Sequence, residues 1–126
     1  MITNPDSCLC LNPHCDEWFI PRRSDKKFCN DKCKSAHNNI INRGVATLRE
    51  LRQSHAEKII NTLCEIPEFG EATIDLTDLI SAGLDFTACD IVKADNGFEY
   101  YVTPNFSMQV TDDLTVIVFP FRIEPE

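Results

Sequence analysis

Seven cysteines occur in the 126 residues, and five of them (Cys8, Cys10, Cys15, Cys29 and Cys33) fall before residue 34. Two close pairs stand out, Cys10-x4-Cys15 and Cys29-x3-Cys33, with thirteen residues between them. Paired thiols joined by a loop suit a soft cation held in a tetrahedron, and Zn2+ is the usual occupant of such a site. The expected ligands are Cys10, Cys15, Cys29 and Cys33, with Cys8 and His37 as alternative donors. An odd cysteine count cannot close as disulfides within one chain, which also favours metal over cross-linking. Four thiolates complete the coordination sphere, so the chemistry expected of the metal is folding rather than catalysis.

Those ligands need elements to place them. "DEWFIP" alternates polar and apolar residues before a proline and predicts a short hairpin carrying the first pair. Asn30 is a good helix cap, and Asp31 complements the dipole of a first turn that would carry Cys33. A knuckle, a loop and a helix-borne pair make the treble-clef arrangement. Downstream, Ile41, Val45, Leu48, Leu51, His55, Ile59 and Leu63 recur at helical spacing. They predict a helix over 31–64, with Gly44 the place where it would divide. Undivided, it would run about 50 Å, so its apolar face offers a surface for self-association.

"CLNPHC" followed by "WF" resembles the Cys-x-Asn-Pro-x-Cys opening of the Cys-Gly-Asn-Arg type of bacterial zinc finger. "PRRSDKKFCNDKCKSAHNN" resembles the Phe-Cys-Ser-x-x-Cys-Arg treble-clef fingers. Asn30 replaces the serine of that pattern and keeps its capping role. Lys34-Ser35-Ala36 replaces Gly-Asn-Arg after the last cysteine, so Lys34 would take over the basic contact. The segment "LISAGLDF…GFEYYVTPNFSMQVTDDLTVIVF" is similar to the tails of small Bacteroidetes proteins that carry this finger. The resemblance implies a zinc finger that binds nucleic acid or protein.

Charge divides the chain. Residues 1–58 hold ten Lys/Arg and seven Asp/Glu, whereas residues 59–126 hold two and thirteen. An acidic second half is a poor partner for DNA or RNA. Nucleic-acid contact is therefore expected of the first half, through Arg22, Arg23, Lys26, Lys27 and Lys34, with Trp18 and Phe19 as candidate stacking groups; the other reading, favoured for Phe19 and Phe28, places these aromatics in a mini-core of the finger. The alternative is a protein-interaction module in which the zinc is purely structural.

Beyond residue 66 the pattern changes. "IPEFGEA" breaks the helix. Next come a short strand and a short helix, the latter expected to be capped by Thr77 and closed by Gly83. About four antiparallel strands follow, with Asp95-Asn96-Gly97 a turn signal between the first two. The fold class is thus α+β, divided as a finger (1–43), a connecting helix (44–66) and a small α+β domain (67–126). No nucleophile–base set, HExxH or phosphate-cradling glycine loop is present, and neither an enzyme nor a small-molecule substrate is expected. The chain has no membrane-length apolar run and no secretory start, so the expected location is the cytoplasm.

Overall fold

The computed structural model describes residues 7–23 and 26–123. Ser24 and Asp25 of the basic loop lie outside the described residues, as do the ends of the first and last expected segments. Two short strands, β1 (Cys8–Leu9) and β2 (Trp18–Phe19), pair antiparallel with Cys8 opposite Phe19. Two helices follow, α1 (Asp31–Asn42) and α2 (Leu48–Leu63). Strand β3 (Ala72–Asp75) runs directly into α3 (Leu76–Ser81). A 3-10 turn at Phe86–Ala88 then leads to β4 (Asp90–Lys93), β5 (Glu99–Val102), β6 (Ser107–Val110) and β7 (Thr115–Phe119).

The expected helix over 31–64 is two helices. After Asn42 the amide of Gly44 bonds the Ile41 carbonyl and that of Val45 bonds Ile40. This closes α1 as a Schellman motif, with Gly44 in the left-handed region at φ +72°. A capping box restarts the chain three residues later. Thr47 Oγ1 accepts from the Glu50 amide at 3.1 Å, and Glu50 Oε1 accepts from the Thr47 amide at 3.1 Å. The apolar stripe is broken accordingly, since Val45 is 74% exposed while Leu51 and Ile59 are buried.

Strands β4 to β7 form an antiparallel meander, and β3 adds to the far side of β7, giving the order β3-β7-β6-β5-β4. The Asp95–Gly97 loop joins β4 to β5 as its residues suggest, with Lys93 opposite Glu99. Thr77, the expected cap of α3, lies inside its first turn; Asp75, the last residue of β3, holds the cap position without a side-chain bond. The strand leaves no room for a longer entry, so capping passes to the backbone: the Leu76 amide bonds the Leu114 carbonyl at 2.9 Å.

One face of the sheet is covered by α2 and α3. Ala56, Ile59, Ile60 and Cys64 of α2 pack with Leu79 and Ala82 of α3 and with Met108, Val116 and Val118 of the sheet. Burying these side chains is the main favourable term in holding the layers together, at about 1.5–3 kcal/mol for each large one. Leu9 belongs to the same cluster, and Trp18 packs against it. The core therefore crosses the boundaries near residues 43 and 66 that the sequence suggests. Of the stripe from which self-association is expected, Ile59 and Leu63 pack in this core, while Val45 and Leu48 are exposed. A smaller cluster on the opposite sheet face gathers Val92, Tyr100 and Val102, with Phe119 and Ile123 alongside.

Candidate metal centre

The Sγ atoms of Cys10, Cys15, Cys29 and Cys33 all lie within 4.8 Å of one another. Cys15 and Cys29 are 3.7 Å apart, and Cys29 and Cys33 are 3.6 Å apart. A tetrahedron with metal–sulfur bonds of about 2.3 Å has edges of about 3.8 Å. The four thiols thus match a tetra-thiolate site, and neither Cys8 nor His37 contributes an atom to it. All seven cysteines are free thiols.

Each ligand is placed by local backbone chemistry. Cys10 leaves β1 and keeps the hairpin register, its amide bonding the Glu17 carbonyl at 2.9 Å. Asn12 and Pro13 then turn the chain: the Cys15 amide bonds the Asn12 carbonyl at 3.0 Å, and the His14 amide bonds Asn12 Oδ1 at 3.2 Å. Asn12 is buried in spite of its polarity, because its groups are occupied by the knuckle. The second pair depends on the start of α1. Asn30 Oδ1 accepts from the Cys33 amide at 2.8 Å and so fixes the turn that carries both sulfurs. The Cys29 amide donates to Cys10 Sγ at 3.5 Å, linking the two halves directly.

The electrostatics of the cluster suit a cation. Burial pushes the Cys10 and Cys29 thiols up, and their sulfur neighbours push Cys29 further. Cys33 moves the other way, chiefly because the Asn12 side chain hydrogen-bonds its sulfur. Four thiolates together would carry a charge that a dication offsets.

Two histidines beside the site have structural roles. His55 on α2 is buried, and its Nε2 donates to the Leu9 carbonyl at 2.8 Å. Burial lowers its pKa, so the ring is neutral at pH 7. His37 on α1 is 3% exposed, and neither ring nitrogen has a hydrogen-bond partner. It packs edge-on to Phe28 at 5.0 Å as an apolar group, and burial lowers its pKa as well. His14 is exposed. From α2, Lys58 Nζ donates to the Pro13 carbonyl at 2.7 Å and pairs with Asp16 at 3.0 Å, tying the knuckle to the main body.

The basic residues form a surface beside the metal site. Arg22, Arg23, Lys26, Lys27 and Lys34 line one open recess of about 680 Å³ with Phe28, Asn30 and Asp31. Of the candidate stacking groups, Trp18 is committed to the core. Phe19 is half-buried, with the Lys26 ammonium 5.6 Å from its ring centroid. The cysteine spacing picks out the four thiols that converge, but the sulfur-directed contacts of Asn12 depend on tertiary placement that spacing does not carry. No helix among the described residues is long and apolar enough to cross a membrane. No protein-family model, curated protein or solved structure matches this chain.

Proposed function

We propose that the chain is a small zinc-binding regulator or adaptor whose N-terminal treble-clef finger contacts DNA or RNA. Zn2+ on Cys10, Cys15, Cys29 and Cys33 would hold the knuckle to α1, and the loop between the pairs would meet phosphate. The observation that carries this reading is the recess itself, which draws five cations onto one face at the start of α1. Phosphates that contact such a face displace counterions, so affinity would fall steeply with salt. The metal is read as structural and the protein as non-enzymatic. A reducing, cytoplasmic setting suits the seven free thiols.

The acidic second half favours a different reading, a protein-interaction module with structural zinc and no nucleic-acid contact. Binding of single- and double-stranded oligonucleotides at several salt concentrations separates the two. With four phosphate contacts, affinity should drop about 10²-fold between 50 and 200 mM salt. Replacing Arg22, Arg23, Lys26, Lys27 and Lys34 by Ala should abolish binding while zinc content is unchanged. No binding at low salt would contradict the nucleic-acid reading and leave the interaction module.

A further inference from the structure

A second concavity, of about 310 Å³, lies on the main body where the hairpin, α2 and the turn after α3 meet. Its volume is at the lower end of the range of small-molecule sites. The wall has two chemistries. Leu9, Leu84 and Phe86 are among its apolar residues, and Lys26, Lys27 and Arg52 bring three cations to it. Asp85 is the one carboxylate on that wall among the described residues, and both its oxygens are engaged. Oδ2 pairs with Arg52 at 3.3 Å, while Oδ1 accepts from the Thr87 amide at 2.9 Å and from its hydroxyl at 2.5 Å. One carboxylate against three cations leaves the cavity positive, in a chain whose net charge is −8.

Gly83 closes α3 at φ +102°, and the Leu84 amide bonds the Leu79 carbonyl at 3.1 Å. A side chain at Gly83 would meet Cys8 Cβ at 3.5 Å and His55 Cε1 at 3.6 Å. Both of these residues also line the cavity. His55 has committed Nε2 to the Leu9 carbonyl, which makes Nδ1 its remaining polar atom and a hydrogen-bond acceptor in the neutral ring.

We propose that this cavity binds a small organic anion, with its carboxylate or phosphate on Arg52 and Lys27 and its apolar body against Leu84 and Phe86. A compact apolar body suits the apolar part of the lining, and an anionic head would offset the cations that share it. The site is separate from the metal centre and, apart from Lys26 and Lys27, from the basic recess.

Titration of the isotope-labelled, zinc-loaded full chain with benzoate, phenyl phosphate and benzyl alcohol, followed by amide NMR, tests this. At least one anion should saturate in about the millimolar range and shift the amides of Leu9, Gly83 and Leu84. Which anion binds more tightly identifies the head group. Benzyl alcohol should bind at least about tenfold more weakly, and Arg52→Gln or Lys27→Gln should each weaken the anion about five- to tenfold. If Arg52→Gln fails to fold, the exposed Lys27→Gln decides the question. The proposal is overturned if neither anion saturates by about 50 mM. Equal affinity for benzyl alcohol would also overturn it, as would shifts centred on Phe28 and Lys34.

Discussion

His55 couples the hairpin to the helix layer through a single hydrogen bond, and its burial has a consequence that depends on pH. Its folded pKa lies below the ordinary value of 6.5, with desolvation the leading cause. Between those two values the unfolded chain binds a proton that the folded chain does not. The stabilisation from a neutral His55 is therefore complete above pH 6.5 and lost as pH falls toward the folded pKa. His37 shifts in the same direction for the same reason. The urea midpoint of the zinc-loaded protein should decrease from about pH 7.5 to about 5.5, and His55→Gln should flatten that slope. Loss of zinc in acid acts on both proteins, so the difference between them isolates the histidine. An identical slope in the variant would show that His55 is not the titrating group.

The break between α1 and α2 rests on two devices of known strength. Gly44 supplies a left-handed residue, and Thr47 with Glu50 supplies a reciprocal cap. A Cβ at Gly44 would meet nothing within 4 Å, so Gly44→Ala should cost only the backbone term, about 1–2 kcal/mol. Chemical denaturation checks this; a loss well above that range would mean that the turn is packed as well as strained. Much of the fold was legible at this scale. The two cysteine pairs, the Asn30 cap, the Gly44 breakpoint and the Asp95–Gly97 hairpin each depend on residues close together in sequence. The Thr47-x-x-Glu50 box was equally local, but the helical spacing of Val45 and Leu48 masked it: a periodic pattern ran through a real boundary by chance. The place of Trp18 was not legible. A half-buried indole serves equally well as a stacking platform or a core residue, and only the approach of α2 and the sheet decides between them. Asn12 was likewise hidden, because its role is to meet a sulfur twenty-one residues away.

At the level of the whole molecule, the metal site and the sheet are joined through few contacts of high consequence. Leu9 enters the main core, its amide bonds the Ala82 carbonyl at 3.0 Å, and Lys58 holds the knuckle from α2. Among the described residues of 10–42 only Trp18 joins that core, so a metal bound by the four thiols would supply most of the order of the rest. Structural zinc contributes about 10–16 kcal/mol in finger peptides, enough for a segment of this size. Chelation should therefore release α1 and the knuckle while the α2–sheet core persists, with amide exchange in α2 accelerated where Leu9 and Trp18 cover it. Simultaneous exchange of both halves would mean that the metal holds the entire fold.

The proposed closed four-thiolate zinc centre is tested most directly by X-ray absorption at the zinc edge, combined with metal analysis of protein purified without chelator. The expected result is about one zinc per chain with four sulfur neighbours at about 2.3 Å. A stoichiometry near zero, or a shell containing nitrogen or oxygen in place of one or more sulfurs, would contradict it.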